Sequence, residues 1–379
     1  MSEPATLSSP KIVSVNEPGL HARIIHRATY DDLSLVLLPV ENESPLSMFQ
    51  RLQHVLTKYN VQVIRQSIFG AVHDTSSVMH DLEEACGSVD WPVTWIEGGS
   101  CTAAPLAGAI VRAVSGMEIT RLSLDGRPIG ALLENHTARY CHLADIRAND
   151  TSASRSEQAR QTFDNMEAAL EMAGMTMTDV VRTWLCMDDI LDWYDDLNKV
   201  RTAFFERTGV FKAMVPASTG IGGHNAAGAA MIADVLALQP KQDDVRVFPV
   251  PSPLQCPALD YGSSFARAVE VETPDYRWLY VSGTASIDPD GHTMFVGDMD
   301  KQVRQTFDVV EAILESRDMT LDNVTRGIAY CKYAKDAPIY TAYCEERGLT
   351  NLPVIVAESA VCRDDLLFEI QVDGVKAKG

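Results

Sequence analysis

The chain has no Cys-x-x-Cys pair and no Cys-x-x-Cys…His spacing, so its eight cysteines carry no zinc-site signature. Most stand in apolar stretches, as Cys186 and Cys331 do, and read as buried free thiols in a reducing, cytoplasmic compartment. No apolar run approaches the roughly 18 residues that a membrane-crossing helix needs, so no membrane partner is expected. Residues 1–10 are polar with Ser and Pro, and read as a disordered tail rather than a secretory leader. A dense Lys/Arg run is missing too. With Asp+Glu 52 against Lys+Arg 32 and a net charge of -20, the chain repels a phosphate backbone, which argues against nucleic acid as a partner. The glycine-rich stretch Gly220-Ile221-Gly222-Gly223 has no Lys-Ser/Thr after it, so it is no P-loop, and no motif calls for a cofactor.

What the chain does have is internal repetition. Gln158, Arg160, Gln161-Thr162-Phe163-Asp164, Glu167-Ala168, Leu170-Glu171, Met175-Thr176, Val180 and Arg182 recur as Gln302, Arg304, Gln305-Thr306-Phe307-Asp308, Glu311-Ala312, Leu314-Glu315, Met319-Thr320, Val324 and Arg326. The spacing is constant across a helix and into the strand that follows, and is too long for a solenoid unit, so it marks duplicated domains. The N-terminal third shows the same outline with less identity. An amphipathic helix is predicted over 47–59, with Phe49 and Leu56 standing where Phe163/Phe307 and Leu170/Leu314 stand. A Val/Ile-rich strand follows over 61–72, then a second helix over 73–86. In that strand Val63 and Arg65 match Val180 and Arg182. A proline opens a late strand in each copy (Pro92, Pro216, Pro353), and an apolar strand closes each, over 107–114, 229–238 and 366–375.

Three α+β domains are therefore predicted, at 1–118, 119–240 and 241–379, with a polar connector at 239–244. Each reads strand, strand, helix, strand, helix, strand, strand, with both helices on one face of a mixed sheet. Phe248 to Leu259, with four prolines, reads as an extended linker or edge strand. The hydrophobic fraction of 46% is ample for three cores. His224 and His292 read as surface loop residues, and His142 as facing a cleft of the second domain.

The pattern Gln-x-x-x-Thr-Phe-x-Asn/Asp-x-Glu-Ala over 158–168, then Asp179-Val180-Val181-Arg182-Thr183, then Pro216-Ala217-Ser218, resembles the RidA/YjgF (endoribonuclease L-PSP, chorismate-mutase-like) superfamily. Members of that family form homotrimers with ligand sites between subunits. The resemblance thus implies that three copies in one chain close into an intramolecular pseudo-trimer, monomeric as a chain, with further self-association left open. The third copy also resembles the chorismatases, which are built on the same fold. The likeness lies in Ser264-Phe265-Ala266-Arg267-Ala268, Leu279 to Ile287, and Ala360-Val361-Cys362-Arg363-Asp364-Asp365-Leu366-Leu367-Phe368-Glu369-Ile370, together with the Ser218 to Gly223 turn. The strand 183–187 and the helix 200–205 depart from the chorismatase pattern.

This second resemblance implies hydrolysis of the enolpyruvyl ether of chorismate, or of a related small carboxylic acid, to pyruvate and a hydroxybenzoate- or dihydroxy-type product. Glu369 falls on the acid/base position of the family. Its neighbours Leu366, Leu367, Phe368 and Ile370 supply the apolar surroundings that keep a carboxylic acid protonated near neutral pH. Cys362 falls on the position associated with product choice, where Cys goes with the 3-hydroxybenzoate type. A small anionic or aromatic carboxylic acid is the expected ligand. Arg363, Arg267 and Arg326 are the expected carboxylate binders, and Gly283, Thr284, Ser218 and Gly220 the expected pocket residues. The alternatives are imine/enamine deamination and a non-catalytic small-ligand-binding pseudo-trimer. The deaminases use an Arg after a Pro-Ala turn, and the three matching positions hold Thr94, Ser218 and Ile355. One working site bordered by the third copy is expected rather than three equivalent ones.

Overall fold

The computed structural model describes residues 11–102 and 104–378. The first third of the chain runs β1 Lys11–Glu17, β2 Leu20–His26, β3 Asp31–Leu37, α1 Pro45–Tyr59, β4 Gln62–Gly70, α2 Thr75–Cys86, β5 Val93–Glu97, β6 Gly99–Ser100 and β7 Leu106–Ser115. The second runs β8 Ile119–Leu124, β9 Arg127–Glu134, β10 Ala138–Arg147, α3 Arg155–Met172, β11 Val180–Met187, α4 Ile190–Thr208, β12 Ala217–Gly222 and β13 Met231–Pro240. The third runs β14 Arg246–Val250, β15 Ala268–Glu272, β16 Tyr276–Ala285, α5 Met299–Glu315, β17 Val324–Cys331, α6 Ala337–Glu346, β18 Val354–Glu358 and β19 Phe368–Ala377.

The strands form three sheets with one plan. Their orders are β1-β2-β3-β7-β4-β5, β12-β11-β13-β10-β9-β8 and β14-β15-β16-β19-β17-β18. In each sheet only the pair spanned by the second helix is parallel: β4–β5, β11–β12 and β17–β18. Each unit thus has three strands before its first helix, one more than the residue pattern predicts. The extra strand is the outermost, β1, β8 or β14; mixed exposure hides the alternation of β1 and β8, while β14 overlaps the start of the stretch 248–259 that reads as an extended linker or edge strand. The short β6 leaves the first third and pairs antiparallel with β18, Ala357 opposite Ser100, as a seventh strand of the last sheet.

The helices cover one face of each sheet, and Phe49, Phe163 and Phe307 are the equivalent plugs beneath them, each at most 1% exposed. Emptying any of these positions would cost about 3–5 kcal/mol. The opposite faces meet each other. Val36, Phe69, Cys186, Ile221, Ile328 and Ile355, two from each third, share one cluster, and Ile25, Trp184, Leu236, Trp278 and Tyr280 share another. The strands β12 and β16, β5 and β10, and β18 and β3 approach one another at the three junctions. The chain is therefore a ring of three RidA-like α+β domains, a pseudo-trimer within one polypeptide. No described helix is long and apolar enough to cross a membrane.

At the centre of the ring Arg65, Arg182 and Arg326 come from the equivalent strands β4, β11 and β17. Their guanidinium carbons stand 4.2, 4.9 and 4.6 Å from the ring centre of Trp184. Arg65 pairs with Asp234 at 3.0 Å, and Arg326 with Asp373 at 2.5 Å.

Candidate active site

A cavity of about 150 Å³ lies where the second and third domains meet. One wall is the end of β12, which contributes Ser218 and Gly220. A second is α4, whose backbone leaves helical geometry at Trp193 (φ -147°), with the indole donating to the Asp188 carbonyl at 2.7 Å. Beyond that kink Tyr194, Asn198 and Arg201, at i, i+4 and i+7, turn one face into the cavity. The third wall is β16 with β19. Their register slips between Val281 and Thr284, so Gly283 sits in a bulge beside Glu369. A Cβ added to Gly283 would collide with Glu369 Oε1 and lie 3.0 Å from its Cδ and 3.1 Å from Thr219 Cγ2. Glycine is what leaves room for the carboxyl.

Glu369 is 4% exposed, and its carboxyl oxygens make no hydrogen bond to any described residue. Burial therefore pushes its pKa up to about 8, restrained by the positive charges of Arg182 and then Arg267. The group is a neutral acid through most of the physiological range, able to give a proton and to take one back. The same position in the other domains is filled otherwise. Glu369 pairs with Tyr330, four residues after Arg326. The residues that pair four positions after Arg182 and Arg65 are Ile232 and Gly108. Glu369 is thus unique to the third domain. Cys362 faces the same cavity, and burial, with the Glu369 charge second, pushes its thiol up to about 12. It is a protonated thiol at neutral pH, not a thiolate.

Three guanidinium groups border the cavity. Arg201 is 2% exposed and donates to Asn198 at 2.6 Å, leaving its Nε without a partner. Arg267 donates to the Cys256 carbonyl at 2.9 Å and leaves Nη2 unpartnered. Arg363 donates to the Gly291 carbonyl at 2.7 Å and stacks on Tyr261. Buried donors without acceptors are costly, so Arg201 and Arg267 are set up to receive an anion.

Of the residues singled out in the sequence, Glu369, Cys362, Arg363, Arg267, Gly283, Ser218 and Gly220 line this cavity. Two do not. Arg326 lies on the ring axis, held by Asp373 against Trp184, because its strand turns that side chain inward rather than into the cleft. Thr284 is 1% exposed, and its hydroxyl donates to the Ser282 carbonyl at 2.9 Å, so the bulge directs it into the sheet. Arg201, Tyr194, Asn198 and Tyr261 were not singled out. The first three stand at helical spacing on α4, which is the signal that could have found them. His142 is buried and lines a separate axial cavity between the three domains, whereas the His224 and His292 side chains are 53% and 79% exposed. At the three turn positions, Thr94 donates to Asp234 at 2.5 Å, Ile355 is fully buried, and only Ser218 borders the cavity.

Residues 145–231 and 260–375 match the family model described as Endoribonuclease L-PSP. The chain belongs to the endoribonuclease L-PSP family. Among curated proteins it is 26% identical over 244 residues to a 3-hydroxybenzoate synthase of Streptomyces hygroscopicus, covering 57% of this chain and 68% of that protein. It is 26% identical over 216 residues to a chorismatase of the same organism, covering 51% of this chain and 60% of the relative's length. A RutC family protein of Pyrococcus horikoshii is 29% identical over 101 residues, 26% of this chain and 80% of the relative. Among solved structures a chorismatase matches with a TM-score of 0.64 at 19% identity, covering 82% of this chain and 92% of that one, a likeness of fold. The likeness to the two Streptomyces hygroscopicus proteins, over 244 and 216 residues, reaches beyond any one domain of this chain.

Proposed function

We propose that this endoribonuclease L-PSP family member hydrolyses the enolpyruvyl ether of chorismate or a closely related small dicarboxylic acid, with Glu369 as general acid. The observation that carries this reading is the buried, unbonded carboxyl of Glu369, protonated to about pH 8, in a cavity ringed by Arg201, Arg267 and Arg363. Enol ether cleavage needs a proton delivered to carbon by a group that is still an acid at neutral pH. Glu369 gives its proton to the terminal methylene carbon, the vinyl π electrons form the new C–H bond, and an oxocarbenium ion remains. Water adds to the ether-bearing carbon of that ion and passes a proton to the Glu369 carboxylate. The hemiketal then collapses, breaking its bond to the ring oxygen and releasing pyruvate and the ring alcohol. The ligand's two carboxylates take the free donors of the arginines, so binding supplies the acceptors the empty pocket lacks. Loss of water from the released ring diol would give a hydroxybenzoate, the product type that the resemblance associates with Cys362.

The test is incubation with chorismate, with pyruvate followed by a lactate dehydrogenase couple and aromatic products by chromatography. Pyruvate release that disappears in Glu369→Gln, with circular dichroism unchanged, is the expected result. No pyruvate above the uncatalysed rate, or a fully active Glu369→Gln, refutes the reading. Because the acid must be protonated, kcat should fall as pH rises through about 8.

A further inference from the structure

The three axial arginines are equivalent in position but not in partners. Arg65 and Arg326 each hold a carboxylate, Asp234 and Asp373. Arg182 is fully buried and forms no ion pair with any described residue. Its acceptors are all neutral: the Thr183 carbonyl at 3.2 Å, the Thr219 hydroxyl at 2.6 Å and the Gln371 side-chain oxygen at 2.6 Å. Both side-chain acceptors lead to Glu369. Gln371 stands two residues along β19, on the same face, and donates its amide to the hydroxyl of Tyr330 at 3.2 Å, the cross-strand partner of Glu369. The Thr219 hydroxyl accepts the backbone amide of Gly283 at 2.9 Å, the residue against which the carboxyl rests.

We infer that Arg182 is a positioning residue for Glu369: through Gln371 and Thr219 it fixes the strands that cradle the carboxyl, and its unneutralised charge acts on that carboxyl from outside the substrate cavity. The inference rests on Glu369 being the acid of the proposed reaction. Of the groups around Glu369, Tyr330 on β17, Tyr194 on α4, and Tyr261 and Cys362 on the flanking loops are all pushed up by burial and stay neutral. β12 and β16 present only neutral groups there, Ser218, Thr219, Gly220 and Gly283. Charge comes from Asp195 and Arg201 on α4, from Arg267 and Arg363 on the loops, and from Arg182. A bound dianion neutralises the cavity arginines but does not reach Arg182. In the loaded site Arg182 remains the cation that keeps the acid from becoming too weak to give up its proton. Gln371 matters because it accepts the bond from Arg182 without supplying a negative charge.

The full-length protein with ¹³C-labelled glutamate carboxyls tests this without substrate, the Glu369 signal being assigned by its loss in Glu369→Gln. Arg182→Gln removes the charge, Arg182→Lys keeps it, and Gln371→Glu neutralises it nearly isosterically. Arg182→Gln and Gln371→Glu should move the Glu369 titration upward by about one pH unit, the low end for a nearby opposite charge. Arg182→Lys should leave it near the wild-type value. A purely structural role would loosen the cleft and admit water, moving the titration down toward an ordinary carboxylate in all three. That result, or no shift in any of them, overturns the inference. The expected shifts without pyruvate from chorismate would support the positioning role and sink only the proposed reaction.

Discussion

Replacing Glu369 by Gln should change the pH dependence of stability in a way that requires no substrate. In the folded protein the carboxyl is buried at 4% exposure and holds its proton to about pH 8, whereas its ordinary value is 4.5. Between those values the folded state binds one proton more than the unfolded state, so unfolding free energy falls as pH rises. The slope is about 1.4 kcal/mol per pH unit, giving roughly 3 kcal/mol by pH 7 and roughly 5 kcal/mol by pH 8. Below 4.5 both states are protonated and above 8 both are ionised, so the effect is flat outside the window. Gln has nearly the same shape and no proton to lose. Urea unfolding of both proteins at half-unit steps from pH 4 to 9 should therefore show the variant gaining on the wild type through the window, with the difference levelling off above pH 8. Water reaching the ionised carboxylate would shrink the gain. Parallel stability curves, or a difference that opens only below pH 4.5, would refute the assignment of Glu369 as a buried neutral acid.

Gly283→Ala should cost more than tenfold in kcat with only a modest change in melting temperature, because the new methyl occupies the place of the Glu369 carboxyl; unchanged turnover would show that the carboxyl works from elsewhere. Arg326→Met should do the reverse. It strands Asp373 on the axis and should lower stability by about 3–5 kcal/mol, while the folded fraction keeps its KM; a raised KM would return Arg326 to the substrate site.

Much of this was legible in the sequence because helices and buried strands announce themselves by period. The repeat placed Phe163 and Phe307 in equivalent environments, and the matching Phe49 fills the same place in the first third. The outer strands β1 and β8 were not legible, since an edge strand with both faces partly wet loses its alternation, whereas β14 overlaps the start of the stretch 248–259 that reads as an extended linker or edge strand. Arg182 and Arg326 match in the repeat, and both do sit on the axis, but nothing in the residue pattern says which side of a fully buried strand faces a cleft and which faces the centre. Arg201 is hard to read from the sequence because its segment departs from the chorismatase pattern, although a side chain four or seven residues along a helix is enough to reach the same wall.

The two-residue strand β6 gives the first third a hold on the last. Gly99 and Ser100 finish the sheet that carries Glu369, while Arg65 and Thr94 of the same third tie down Asp234 at the centre. In a ring of separate identical subunits any mutation is felt three times over. Here the first third can drift far from its siblings, and it still cannot be discarded, because its neighbours would be left with an open edge and a stranded charge. Selection would then act on it as on a keystone, through the shape of what rests against it.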